Sequence, residues 1–270
     1  MTRRSAPRLK AQTTAETPEV DAECYHARLG PRRAGCRAPP DGVCFEFRAR
    51  GATLTDSRYS SEPDDPGKFT GERDRLYTAF AGLYAGALRI FPVWRRWIGC
   101  AAPHVTGPRA LEISFGTGHL LTQYAGRFTT HGIDYNRRMV EVARRRLLRA
   151  GLKPSLVQGS VEHLPYPDES FDSIVNTMAF PGYPNGVAAL SEMRRVLQSG
   201  GTLVLIDVNY PSDGNWLGTK LAEFWKFSGD VVRDMEQLFD QLAFEYTHEE
   251  IGGWGSVHLF VARKRAFPNR

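Results

Sequence analysis

From residue 109 to residue 208 the chain alternates short apolar runs with amphipathic stretches of helical period, and this alternation constrains the fold more than any other feature. Strands are expected at 109–114, 129–134, 154–159, 171–177 and 202–208, and helices at 118–126, 136–150 and 185–198. TLVLIDV is apolar at nearly every position before Asp207, as a strand buried on both faces requires. Asn136 and Asn185 stand where they can cap helix starts, and Gly151 and Gly200 stand just beyond helix ends. After an amphipathic segment at 215–243, FEYTHEEI and SVHLFVAR are joined by GGWG, which predicts an antiparallel hairpin.

Strands alternating with helices of this length form a parallel sheet covered on both faces. The expected fold class is α/β: a Rossmann-like, doubly wound, mostly parallel seven-stranded sheet with a C-terminal antiparallel hairpin and helices on both faces. Residues 1–70 are rich in Pro, Gly, Arg, Ser and Thr without a sustained period, so they are expected to be a disordered or loosely structured extension. Residues 71–270 are expected to be the folded domain, opened by a helical lead-in that breaks near Pro92.

The chain has 270 residues and a net charge of +5, but its arginines and lysines are scattered among acids, which argues against a nucleic-acid partner. The richest basic run, RRMVEVARRRLLR, carries an apolar stripe of Met139, Ala143 and Leu147 and reads as a solvated helix. Cys24, Cys36, Cys44 and Cys100 match no CxxC pair and no familiar disulfide framework, so they read as reduced thiols and no metal is expected. The longest apolar run, AFAGLYAGAL, stops at Arg89 and is too short to span a bilayer. With no apolar segment in the first thirty residues, a cytoplasmic address is expected. A peripheral membrane contact stays open through WLGTKLAEFWKF, which sets Lys220 and Lys226 beside Trp and Phe.

The stretch ALEISFGTGHLL runs a buried strand through Gly116 and Gly118 toward a helix. Such a turn lets backbone amides approach a ligand at the carboxyl end of a strand. A dinucleotide site would want a third glycine three residues after Gly118; Leu121 is there instead. Asp134 ends the next strand, eighteen residues beyond Gly116, where a carboxylate can accept hydrogen bonds from ribose hydroxyls. The pattern suits a nucleoside without a pyrophosphate.

ALEISFGTG, HGIDYNRRMVEVARRR, VQGSVEHLPYPDESFDSIVNT and EMRRVLQSGGTLVLIDV, in that order, resemble the successive motifs of class I S-adenosylmethionine-dependent methyltransferases. The lead-in FAGLYAGALRIFPVWRRW and the ending IGGWGSVHLFVARK are similar to the ubiquinone/menaquinone C-methyltransferases and related small-molecule or lipid enzymes. The resemblance covers about residues 72 to 264. It implies that Glu112 and the backbone of Ser114, Gly116 and Gly118 hold the methionine end of S-adenosylmethionine. Asp134 would bind the ribose, Tyr135 would lie against the adenine, Ser160 and Val161 would flank its edge, and Asn176 would close the floor. Ser114 stands where the family usually has glycine or alanine, Ser160 where it often has aspartate, and Ala85 where relatives often carry an aspartate.

Methyl transfer from a sulfonium is an in-line displacement, so the protein mainly aligns the acceptor and excludes water. A general base is needed only if the nucleophile must lose a proton; His163, Tyr183 and Tyr210 are the candidates, while His258 reads as structural. Tyr77, Phe80 and Tyr84 of the lead-in, Met178, Phe180 and Tyr183 after the fourth strand, and Asn209, Tyr210 and Trp216 beyond Asp207 are expected to form the acceptor side. This mostly apolar lining suits a small lipophilic or aromatic acceptor, methylated at carbon, oxygen or nitrogen. The competing readings are a phospholipid N-methyltransferase and a non-catalytic S-adenosylmethionine-binding scaffold.

Overall fold

A strand enclosed on both faces has no polar side to spare, and β5 (Leu197–Val208) meets that demand: Leu203, Val204, Leu205 and Ile206 are all fully buried. In the computed structural model of the protein, β5 lies inside a seven-stranded sheet of order β3-β2-β1-β4-β5-β7-β6. The structure describes residues 58–90 and 92–265, without the side chains of Tyr77, Phe80 and residues 81–90. All of these fall within one unit, residues 38–270.

β1 (Arg109–Ile113) pairs in parallel with β2 (Thr129–Asp134) on one side and β4 (Phe171–Thr177) on the other. β3 (Ser155–Gln158) extends the β2 side, and β5 extends the β4 side. The chain therefore winds outward from β1 through β3 and returns beside β1 with β4. That reversal opens a crevice at the carboxyl ends of β1 and β4. β7 (Val257–Lys264) runs antiparallel between β5 and β6 (Phe244–Gly252), so the expected seven-stranded sheet and C-terminal hairpin are both present.

Helices cover the sheet through their apolar stripes. α4 (Arg137–Arg149) buries Met139, Val140, Ala143 and Leu147 and leaves most of its arginines in solvent; the Asn136 side chain caps it by accepting from the Met139 N–H at 3.0 Å. α5 (Gly186–Val196) is capped likewise by Asn185 and buries Leu190 and Met193 in the cluster with Leu111, Ile113, Ile174, Leu203 and Leu205. Each such side chain contributes about 1.5–3 kcal/mol relative to exposure.

The helix expected at 118–126 shrinks to one turn, α3 (Leu121–Tyr124). The residues before it are spent on a bend in which Gly116 and Gly118 have φ of 53° and 70°, the left-handed region where glycine is at no disadvantage. The segment 215–243 divides into α6 (Trp216–Phe227) and α7 (Met235–Gln241), separated by Gly229 at φ 93°. The lead-in forms α1 (Pro66–Ile90) and α2 (Pro92–Gly99), broken before Pro92 as expected. The boundary drawn at residue 71 falls inside α1. Residues ahead of α1 are tied to the domain: the Ser60 N–H donates to Val232 O at 2.9 Å, and the Glu62 carboxylate accepts from the Gly186 N–H at 3.0 Å. Cys100 is disulfide-bonded, so the reading of all four cysteines as reduced thiols fails for it; Cys24, Cys36 and Cys44 lie outside the described residues.

Candidate functional site

At the carboxyl ends of β1 to β4 lies a cavity of about 390 Å³, within the range of about 300–1,000 Å³ usual for small-molecule sites. Its walls include Glu112, Ser114 and Gly116 from the first bend, Asp134 and Tyr135 from the end of β2, Ser160 and Val161 from the end of β3, and Met178, Ala179 and Tyr183 from the loop after β4. Its roof comes from the first turns of α1, with Pro66, Gly67, Thr70, Arg73 and Asp74, and from Trp94 and Ile98 of α2.

Two buried carboxyl groups define its polarity. Glu112 sits on β1 between apolar neighbours and accepts from Tyr124 OH at 2.7 Å. Burial raises its pKa to about 8, against the pull of that hydrogen bond and with added repulsion from Asp134. Asp134 accepts from the Gly116 N–H through Oδ2 at 2.8 Å and from the Asn136 N–H through Oδ1 at 2.9 Å. Burial still lifts its pKa to about 6. The acid that ends β2 thus holds the glycine bend in place, and a carboxylate's remaining lone pairs stay open to a ligand.

A buried polar network lies beneath the bend. The Asn176 Nδ2 donates to Tyr183 OH at 2.6 Å and to Ile113 O at 3.2 Å, while Tyr183 OH and Ser114 Oγ share a 2.8 Å hydrogen bond. Ser114 adopts φ 54° and Met178 φ 51°, left-handed values that cost a non-glycine residue about 1–2 kcal/mol. Asp207, fully buried at the end of β5, accepts from the N–H groups of Ala179, Phe180 and Val208 at 2.8–2.9 Å. It thereby ties the loop after β4 to the neighbouring strand. Its pKa rises to about 7 through burial.

Glu112, Ser114, Gly116, Asp134, Tyr135, Ser160, Val161 and Tyr183 are thus brought together on one cavity wall. Other sequence candidates are placed elsewhere. Gly118 faces α4: a Cβ there would lie 2.9 Å from that of Ala143, so this glycine allows the bend to seat on the helix. Asn176 is a buried support behind the wall. Phe180 packs in the main core. Tyr210 lies in a separate apolar cluster with Val208, Ala222 and Val232, its hydroxyl bonded to Glu223 at 2.5 Å and Arg58 O at 2.9 Å. His163 is exposed on a turn outside the cavity lining. Trp216 points outward from α6, and Asn209 is a buried residue that does not line the cavity. The side chains of Tyr77, Phe80 and Tyr84 lie outside the described residues.

His258 is buried on β7, hydrogen-bonded to His248 and to Gly255 O, and does not line the cavity. The contributions of the early turns of α1 and of His119 to the cavity were not anticipated. Arg95 Nε donates to His119 at 3.1 Å, and burial, reinforced by Arg95 and Arg146, lowers the His119 pKa to about 4, which keeps the imidazole neutral. Its one sequence signal is its place directly after Gly118, at the end of the glycine bend. Among the described residues no cluster of side chains suits a metal ion, and no helix is long and apolar enough to cross a membrane.

The family model described as a methyltransferase domain matches residues 111–205, the span from β1 through β5. A ubiquinone/menaquinone biosynthesis C-methyltransferase of Xanthomonas campestris is 30% identical over 200 residues, covering 69% of this chain and 76% of the relative. A phosphatidylethanolamine N-methyltransferase of Cereibacter sphaeroides is 36% identical over 110 residues, covering 39% of this chain and 54% of the relative, so the match spans about half of that protein. Among solved structures, phosphoethanolamine N-methyltransferase 2 of Haemonchus contortus in complex with S-adenosyl-L-methionine superposes with a TM-score of 0.58 at 17% identity, covering 73% of this chain and 60% of the other; at that identity the likeness concerns the fold. The chain belongs to the class I S-adenosylmethionine-dependent methyltransferases, with sequence similarity to the ubiquinone/menaquinone C-methyltransferases.

Proposed function

We propose that the protein transfers the methyl group of S-adenosylmethionine to a small lipophilic or aromatic acceptor. The observation that carries this reading is the pairing, in one cavity, of two buried carboxyl groups around a glycine bend with an apolar wall of Trp94, Ile98, Phe115, Leu120 and Met178. The residues present fit the cofactor. Glu112 offers a buried carboxyl to an ammonium group, Asp134 has lone pairs left for a ribose diol, and the exposed ring of Tyr135 at the rim offers a face to the adenine. Ser160 and Val161 line the adjoining edge, and Gly118 and Asn176 support the wall from behind. The cofactor supplies an electrophilic methyl group on a good leaving group.

The residues around the acceptor have a positioning task. Ionised tyrosine would be the basic form of Tyr183, but burial pushes its pKa far upward and its hydroxyl is already bonded to Asn176 and Ser114. His119 receives a hydrogen bond from Arg95, and its depressed pKa makes it a weak base. This favours an acceptor that needs little help in losing its proton, such as a ring carbon activated by a ring hydroxyl, or a neutral amine.

Incubation of the full chain with cofactor and a lipid extract, followed by mass spectrometry, is expected to reveal an acceptor heavier by one methylene and an equal amount of S-adenosylhomocysteine. The similarity to the phosphatidylethanolamine enzyme supports the second reading, phospholipid N-methylation, and labelled cofactor with separated lipid classes distinguishes the two. Cofactor binding without product from any acceptor pool would instead support a non-catalytic scaffold.

A further inference from the structure

We infer that the outer face of α6, together with Trp254, docks on an anionic lipid surface beside the mouth of the acceptor cavity. Trp216, Leu217, Lys220, Phe224 and Phe227 occupy positions i, i+1, i+4, i+8 and i+11 of α6, which places them within about 100° of the helix circumference. Trp216 is 70% exposed, Phe224 58% and Phe227 90%. Trp254, 50% exposed, stands on the turn between β6 and β7, on which α6 is seated. Four of the nine exposed large hydrophobic residues among the described residues lie on this one helix face, a concentration that scattered surface residues do not show.

The opposite face fixes the helix to the domain. Gly218 and Ala222 are buried, and a Cβ at Gly218 would run into the Trp254 carbonyl and Pro211. The Lys226 Nζ donates to Arg58 O at 2.8 Å. The aromatic side chains are therefore presented on a rigid support, the arrangement that interfacial insertion of an amphipathic helix exploits.

Two further observations identify the occupant as lipid of negative charge. Lys220 lies exposed within the apolar face, and the neighbouring α2 exposes Arg95 and Arg96. Glu223, the acid of α6, is exposed at the edge of this face and accepts from the Tyr210 hydroxyl, so the basic character of the surface comes from Lys220 together with Arg95 and Arg96. Cation and aromatic side chains thus share the surface that would meet anionic headgroups. The patch is also continuous with the site. Phe224 packs against Trp225, Trp225 against Trp94 at ring-centroid distances of 5.7 and 5.8 Å, and Trp94 lines the cavity. A lipophilic acceptor resting in a leaflet would then lie close to the cavity wall.

The inference rests on the lipophilic-acceptor reading, and its test separates the two. The full chain is sedimented with phosphatidylglycerol/phosphatidylcholine vesicles and with pure phosphatidylcholine vesicles. Binding is expected to the anionic vesicles and to weaken with added salt. The double variant Phe224→Ser/Phe227→Ser and the single variant Lys220→Glu are expected to lose affinity, the former by about tenfold or more. Cofactor affinity, measured by calorimetry, is expected to stay unchanged in both. Absence of vesicle binding, or equal binding by both variants, would overturn the surface assignment. So would sedimentation velocity showing a dimer of this chain that the double variant dissociates. Methyl transfer to a detergent-dispersed acceptor would survive any of these results, whereas its absence would count against the acceptor reading itself.

Discussion

At the scale of single residues, Glu112 and Asp134 govern the site through proton linkage. Glu112 has its pKa raised to about 8 when buried in the ligand-free protein. Its contribution to stability is therefore fully present below its unfolded pKa and is lost as the pH rises through 8. With Glu112 as the proposed partner of the cofactor's ammonium group, which would bind the ionised form, cofactor binding is expected to release a proton and affinity to rise with pH. Between pH 6.5 and 7.5 the rise is expected to be about fivefold to tenfold, nearly all of it from Glu112, since Asp134, with a pKa of about 6, is already mostly ionised there. Calorimetry in buffers of different ionisation enthalpy would detect the released proton; Glu112→Gln should abolish this release and weaken binding. Ser160 lines the cavity and accepts the Glu162 N–H at 3.2 Å. Ser160→Asp would place a carboxylate at the edge assigned to the adenine amino group and is expected to tighten cofactor binding. A calorimetric titration without tightening would count against that assignment.

At the scale of elements, the bend and the roof matter most. Gly118 is left-handed and pressed against α4, so Gly118→Ala is expected to cost about 2–4 kcal/mol, from backbone strain and overpacking together. Chemical denaturation would measure this loss. The roof helix α1 is latched to α4 by Asn136, whose Nδ2 donates to Asp74 Oδ1 at 2.8 Å and to Thr78 Oγ1 at 2.7 Å while its Oδ1 caps α4. A second tie, Arg73 to Asp230 at 2.6 Å, fastens α1 to the segment after α6. Asn136→Ala removes the cap and the latch at once. A loss of about 2 kcal/mol is expected, with faster dissociation of S-adenosylhomocysteine in stopped-flow measurements because the roof is less firmly held.

At the scale of the whole molecule, the site is completed by chain that precedes the sheet. Pro66, Gly67 and Thr70 contribute to the cavity, and residues 60 and 62 anchor the approach to α1. A chain lacking residues 1–57 is expected to keep its cofactor affinity. One lacking residues 1–70 is expected to bind more weakly, since part of the roof is then missing. Calorimetry on the two truncations would test the difference directly; equal affinities would show that the first turns of α1 do not contribute.

The strand-helix alternation, the caps at Asn136 and Asn185, the glycine bend and Asp134 were legible in the sequence because each is set by local period or by neighbouring residues. A mostly parallel sheet with a C-terminal antiparallel hairpin followed from the same pattern, whereas the strand order came from the structure. Which aromatic residues face the cavity was not legible. Phe180 and Tyr183 are three residues apart in one loop and both pack in the core, yet only Tyr183 also reaches the cavity wall, in a loop whose amides are held by Asp207 on a different strand. Tyr210 is turned away by partners at Arg58 and Glu223, distant in sequence. By itself the sequence determined the fold class and several of the polar groups that line the cavity, since periodicity and turn chemistry act over a few residues. Only the tertiary structure decided what roofs the cavity and which side chains line it, since those outcomes depend on contacts between segments far apart along the chain.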